Sequence, residues 1–261
     1  MIKIGIIGGG NMGEAIIAGI HKAYTISLCE IDQKRAVALK RKYRVFLCDC
    51  RSIAKQCDTI ILAVKPQVMT EALEEIIAGL RKDVLIVSIA AGITTSFLEK
   101  LLPAGTRVVR TMPNMPAQVG KGITALCAGR KAIKKDLKNV AAIFNYLGET
   151  IIVDEKMMDA VTAVSGSGPA YVFYFLECMV EAAQSLGFSK QQAIDLVRQT
   201  VSGSFHLLGA SKESPLELRK KVTSKGGTTE AAMKVFETMK TRKIFKDAMM
   251  AARKRGRELA R

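Results

Sequence analysis

The chain has 261 residues, enough for one large or two medium domains with a real core. Apolar residues make up 49% of it, yet no uncharged apolar run reaches the ~18 residues of a membrane-spanning helix. No secretion-signal pattern opens the chain either, so a cytoplasmic protein is expected. The net charge of +16 suggests anionic ligands, but Lys and Arg are spread along the chain and aromatic residues are only 5%. No nucleic-acid motif is visible, so neither nucleic acid nor membrane is expected as a partner. The six cysteines Cys29, Cys48, Cys50, Cys57, Cys127 and Cys178 form no C-x-x-C pair, and the histidines are His21 and His206. No metal site is expected from that set, and the cysteines are read as small buried thiols.

Residues 3–7, 25–30, 45–47, 59–64, 84–89 and 107–111 read as strands, and 12–22, 33–43, 67–80 and 95–102 as helices. That alternation predicts a Rossmann-type α/β domain, a doubly wound parallel sheet with helices on both faces. Two further strands, 122–128 and 149–154, flank a helix at 133–147. Beyond Asp154 the period is helical throughout, at 157–164, 170–186, 190–208, 215–222 and 229–260. The division predicted is 1–154 for a dinucleotide-binding domain and 155–261 for an all-α substrate-binding and dimerisation domain. The helical half has more apolar positions than a thin layer can bury, which predicts self-association.

Gly8, Gly10 and Gly13 form a G-x-G-x-x-G that follows a strand and opens a helix. Gly8 permits the tight turn, Gly10 the approach of a pyrophosphate, and Gly13 the packing of helix on strand. Asn11 and Met12 fill the gap, with backbone N–H groups facing the phosphates. Glu30 closes the second strand, about 20 residues further on, where a carboxylate accepts from the adenosine ribose. It favours NADH over NADPH, although Lys34 and Arg35 in the next helix lie within reach of a 2′-phosphate. Ligands of such sheets bind beyond the carboxyl ends of the strands. That places Ala63, Val64, Lys65 and Pro66, then Ala91, then Asn114 in the loop Met112-Pro113-Asn114-Met115-Pro116, beside the coenzyme. Further on, Ser224-Lys225-Gly226-Gly227-Thr228-Thr229 precedes a helix, so its N–H groups and hydroxyls could cradle a carboxylate. The plainer alternative is a Gly-Gly turn with a threonine N-cap.

Together with Ala63-Val64-Lys65-Pro66-Gln67, Ser88-Ile89-Ala90-Ala91-Gly92, Arg110–Pro116 and Asp159–Tyr171, these motifs resemble pyrroline-5-carboxylate reductase over nearly the whole chain. The resemblance implies a Rossmann domain, a helical domain interlocked with that of a second subunit, and reduction of a cyclic imine to L-proline by NADH or NADPH. It implies Thr229 and Ser224 as catalytic residues. Ser224 with Gly226 and Gly227 would hold the substrate carboxylate, Thr229 would meet the ring nitrogen, and Lys225 and Thr228 would complete the pocket. A homodimer or larger homo-oligomer follows. Three positions depart from the family pattern: Lys225 for a common Pro, Met115 for the usual Thr, and Glu30 for a small polar or basic residue. The alternatives are another imine or β-hydroxyacid oxidoreductase of the same layout, for which Lys156 and Lys190 are the only acid/base candidates, and a dinucleotide-sensing, anion-binding protein without turnover.

Overall fold

Successive apolar residues along the central strands point to opposite faces, and this sorts the first part of the chain into one sheet between two cores. The structure is a computed structural model and describes residues 2–259. Its strands are β1 (Lys3–Ile7), β2 (Thr25–Cys29), β3 (Phe46–Leu47), β4 (Thr59–Leu62), β5 (Leu85–Ser88), β6 (Arg107–Met112), β7 (Gly122–Ala128) and β8 (Gly148–Ile152), in the order β3-β2-β1-β4-β5-β6-β7-β8. All neighbours run parallel except β6 and β7. A parallel neighbour needs a long crossover. Between Met112 and Gly122 there is only a 3-10 turn, Met115–Val119, so β7 returns antiparallel.

The helices of this part are α1 (Asn11–Ile20), α2 (Gln33–Tyr43), α3 (Cys50–Gln56), α4 (Met69–Ile77), α5 (Thr95–Leu101), α6 (Lys134–Phe144) and α7 (Met158–Val161). Ile4, Ile6, Ile61 and Val87 pack with residues of α1, α2 and α6. Ile7, Ile60, Leu62 and Ile86 pack with residues of α3, α4 and α5 on the other face. Each such fully buried side chain contributes about 1.5–3 kcal/mol. The sequence pattern did not show α3. It has seven residues, too few for a helical period to stand out, and only its N-cap marks it: the Asp49 side chain accepts the Ser52 N–H at 2.6 Å.

The cysteines also depart from expectation. Cys29, at the end of β2, and Cys50, at the start of α3, form a disulfide with a Cα–Cα distance of 5.5 Å. The fold brings together two positions that no local motif links. Cys48, Cys57, Cys127 and Cys178 are free.

Two charged side chains are buried in the sheet domain among the described residues, Asp136, paired with Arg107 at 2.6 Å, and Arg110. Arg110 on β6 is 2% exposed, and its Nη1 donates to Glu155. The other Glu155 oxygen accepts from Thr95 Oγ1 at 2.8 Å and from Cys127 Sγ at 3.4 Å. Glu155 therefore ties together the start of α5, strand β6 and strand β7. Burial, and then the Glu155 charge, push the Cys127 thiol up to about 12.

The chain divides into two compact units, one running through Pro169 and resuming at Ala252, the other Ala170–Ala251. Helices α8 (Gly168–Ser185), α9 (Lys190–Ala210), α10 (Pro215–Lys221), α11 (Thr228–Thr238) and the first part of α12 (Thr241–Leu259), up to Ala251, supply the second. Their starts are written in the sequence. Ser189 with Gln192, and Ser214 with Glu217, form capping boxes. The long helical run expected from residue 229 breaks instead at Lys240, whose φ is +55°. No glycine or proline marks that break. Ala193 and Val197 are the buried apolar residues of this unit among those described, while Phe173, Tyr174, Phe205, Phe236 and Phe245 stay exposed. No helix among the described residues is long and apolar enough to cross a membrane.

Nε and Nη2 of Arg110 are buried without a partner among the described residues, which leaves Glu155 to neutralise the guanidinium. Glu155→Ala is therefore expected to lower stability by about 3 kcal/mol, the usual cost of stranding one member of a buried pair. Guanidinium unfolding would show this as a lower midpoint at unchanged m. An unchanged midpoint would remove the pair from the account.

Candidate active site

The turn from β1 into α1 is shaped by close backbone contacts. Gly8 has φ +98°, and its N–H donates to the Cys29 carbonyl at 2.8 Å. A Cβ on Gly8 would lie 2.6 Å from the Ala63 carbonyl oxygen, and one on Gly13 only 2.2 Å from the Gly8 carbonyl oxygen. Gly10 differs: it is exposed, caps α1, and a Cβ there would meet nothing within 4 Å. Gly8 and Gly13 are thus demanded by the backbone's own packing, Gly9 is crowded by the Leu39 and Glu30 side chains, and Gly10 faces open space. Asn11 and Met12 begin α1, where N–H groups lack intrahelical partners and the helix dipole favours an anion. This is a cradle that fits a pyrophosphate.

At the end of β2 Glu30 is half-buried, and its carboxylate already serves the backbone. It accepts the Gly9 N–H at 2.5 Å and the Asp32 N–H at 2.9 Å. Lys34 is exposed, while Arg35 lies across the glycine loop. Its Nε donates to the Gly9 carbonyl, and Nη2 is 3.4 Å from Asn11 Oδ1 and 3.3 Å from Glu14 Oε2. Glu14 also accepts from Lys42 at 3.0 Å and Tyr43 at 3.1 Å. The Lys42 hydrogen bond is the main reason its carboxyl is held below the ordinary value, against the opposing effect of burial.

The remaining residues expected from the sequence to face a coenzyme gather at the carboxyl edge of the parallel strands. Ala63 and Val64 follow β4, the Ala63 N–H donates to the Ile7 carbonyl at 2.8 Å, Lys65 is exposed, and Pro66 opens a 3-10 turn. Ala91 is exposed after β5, where Ser88 Oγ accepts the Ala90 N–H at 3.3 Å. Asn114, 9% exposed, fixes the loop after β6 by accepting the Ile123 N–H at 2.9 Å. Met115 and Asn11 line one cavity of about 420 Å³, so that loop reaches the start of α1. Gly166, in a π-helical turn Thr162–Gly166, would place a Cβ 2.7 Å from Met112 Cε. The Ser-Gly-Ser-Gly-Pro motif and the Met-Pro-Asn-Met-Pro loop therefore meet at that point. Arg110, Thr95, Cys127 and Glu155, which support two of these loops, escaped sequence reasoning. The available signal was Arg110 itself, a charged residue between Val109 and Thr111 in a strand whose middle is buried.

In the second unit, residues 222–227 turn α10 into α11. The helix is capped by Gly227 and not by a threonine; Thr228 and Thr229 are its first two residues. Gly226 has φ +72°. Its N–H donates to Glu230 Oε2 at 2.9 Å, and the Gly227 N–H donates to the Ser224 carbonyl at 3.1 Å. Ser224 also folds against Gly227, with Oγ 2.5 Å from where a Cβ would sit. Ser224, Lys225, Gly226 and Thr228 are exposed, and Gly227 and Thr229 half-buried. The turn and the helix start thus carry the hydroxyls of Ser224, Thr228 and Thr229, a cation and glycine amides, and a carboxylate already engages the Gly226 amide.

Known proteins carry the same two parts. A family model described as pyrroline-5-carboxylate reductase dimerisation matches residues 155–259, and one described as NADP oxidoreductase, coenzyme F420-dependent, matches 3–92. Pyrroline-5-carboxylate reductase of Mycobacterium tuberculosis is 37% identical, with 99% of this chain and 97% of that one covered. The Synechocystis enzyme is 38% identical, with 100% and 99% covered. Among solved structures, a pyrroline-5-carboxylate reductase from Coxiella burnetii matches with TM-score 0.92 and 37% identity over 99% of this chain and 98% of that one. The Plasmodium falciparum pyrroline carboxylate reductase with NADP bound matches with TM-score 0.89 and 29% identity, covering 100% and 98%. With such identity sustained from end to end, the chain belongs to the pyrroline-5-carboxylate reductase family.

Proposed function

We propose that the chain reduces 1-pyrroline-5-carboxylate to L-proline with NAD(P)H, as the last step of proline biosynthesis, and that residues 1–154 hold the coenzyme while 155–261 hold the substrate and the dimer contacts. The observation that carries this reading is the presence, in one chain of this family, of an open phosphate cradle at Gly10 and a glycine–hydroxyl turn before α11. When bound, the reduced nicotinamide supplies the hydride for the C=N carbon. The chain's own residues position and solvate. Gly8, Gly10, Asn11, Met12 and Gly13 take the pyrophosphate, Glu30 the adenosine ribose, and Ala63, Val64, Lys65, Pro66, Ala91 and Asn114 the remainder. Ser224, Lys225, Gly226, Gly227, Thr228 and Thr229 form the substrate cradle.

A protonated imine is already a good hydride acceptor, so catalysis needs orientation more than a strong acid. Ser224 and the amides near Gly226 and Gly227 hold the carboxylate, displacing Glu230 from the Gly226 N–H. The Thr229 hydroxyl steadies the ring nitrogen as it becomes an amine. Glu30 places a negative charge where a 2′-phosphate would sit, and Arg35 is engaged by Gly9, Asn11 and Glu14, so NADH is preferred and NADPH accepted. The exposed aromatic residues of α8, α9, α11 and α12 support a homodimer or larger homo-oligomer.

Thr229→Ala is expected to lower kcat by about ten-fold, the worth of one charge-assisted hydrogen bond, with coenzyme affinity unchanged; equal loss of both would remove Thr229 from the chemistry. Glu30→Gln should shift the kcat/KM ratio roughly five- to ten-fold toward NADPH by removing a like charge. No shift would mean that Glu30 does not set the preference. Gly10→Ala should leave the melting temperature unchanged and weaken coenzyme binding, whereas Gly13→Ala should lower both. Thermal unfolding paired with NADH titration separates the two cases, and full affinity in Gly10→Ala would contradict the cradle.

A further inference from the structure

We propose that Cys29 and Cys50 form a reversible thiol–disulfide site that sets how tightly the adenosine end of the coenzyme is held, an inference that rests on the coenzyme reading above. Their Cα–Cα distance of 5.5 Å suits a disulfide without movement of the backbone. Cys29 is half-buried and open to a reagent, whereas Cys50 is 5% exposed.

What the link fastens gives it a consequence. On one side is the end of β2. The Cys29 carbonyl accepts the Gly8 N–H at 2.8 Å, and the adjoining Glu30 accepts the Gly9 N–H at 2.5 Å. The first two glycines of the phosphate loop thus hang on residues 29 and 30. On the other side is the first turn of α3, whose Ile53 and Ala54 are fully buried in the second core. With the bond formed, the strand end that anchors the loop is tied covalently to a buried helix. With the bond open, residues 29–32 rely on hydrogen bonds near solvent. The Glu75 carboxylate belongs to the same cluster, with an oxygen within 4.8 Å of both sulfurs.

The chemistry balances with a small-molecule disulfide as oxidant. The Cys29 thiolate attacks one sulfur of the reagent, forms a mixed disulfide and releases one thiolate. The Cys50 thiolate then attacks the Cys29 sulfur, closes the protein disulfide and releases the second. The protein dithiol loses two electrons and two protons, and the reagent leaves as two thiols.

The test uses the full-length protein equilibrated in oxidised or reduced glutathione. Alkylation with peptide mass mapping reads the cysteines, and NADH fluorescence titration without substrate reads the coenzyme. In oxidised glutathione, Cys29 and Cys50 should lose alkylation together, and the NADH Kd should fall about five-fold, at the low end of usual couplings. Cys29→Ser and Cys50→Ser should each abolish that response, and Cys48→Ser should retain it. Equal Kd in the two states, cysteines that stay alkylated in oxidised glutathione, or a response surviving in Cys50→Ser would each overturn the proposal. Absence of NADH binding in both states would instead overturn the coenzyme reading beneath it.

Discussion

The approach of α1 to the end of β1 is the constraint on which this structure depends. A Cβ on Gly13 would sit 2.2 Å from the Gly8 carbonyl, and one on Gly8 2.6 Å from the Ala63 carbonyl. No side chain fits either place. Because it is so close, the helix start stands directly over the gap between β1 and β4, where the strand order reverses. The same packing leaves Gly10 facing outward with room in front of it. Rigidity of the loop and vacancy above it thus have one cause. Side-chain acceptors also fix the segments that reach this edge: Asn114 takes the Ile123 N–H, Ser88 the Ala90 N–H, and Glu30 the Gly9 and Asp32 N–H groups.

Much of this could be read in the residues, for reasons of period. Strands such as Ile60-Ile61-Leu62 are short apolar runs because both faces are covered. Helices such as α6 are long enough to show a 3.6-residue stripe. Legibility failed where the determinant is brief or non-local. Helix α3 is too short to show a stripe. Lys240 adopts φ +55° without the glycine that would announce it. The Arg110–Glu155 pair and the Cys29–Cys50 bond each join segments distant in sequence, so neither leaves a pattern to read. In the turn before α11 the residues were legible but not their present engagements, because Glu230 reaching back to the Gly226 N–H is a property of the folded turn.

The two units are built on different physics. The sheet unit buries apolar residues in two large clusters, one on each face of the sheet, and a smaller one around Met158. The helical unit has good caps and few buried residues, so its helices are specified locally while their apolar faces remain open. Capping boxes fix where such helices begin; burial of those faces calls for another surface. That is the arrangement expected of a domain that gains its core by association. It accords with the match of residues 155–259 to a dimerisation family.

Delivery of a coenzyme hydride to the imine carbon of 1-pyrroline-5-carboxylate is the step on which the function of this chain turns. The most direct measurement uses NADH and NADPH carrying deuterium at the transferable position, with mass spectrometry of the product. The expected product is L-proline with one deuterium at the former C=N carbon, formed in equal amount to the coenzyme oxidised. Coenzyme oxidation without labelled proline, or no oxidation with either coenzyme, would contradict it.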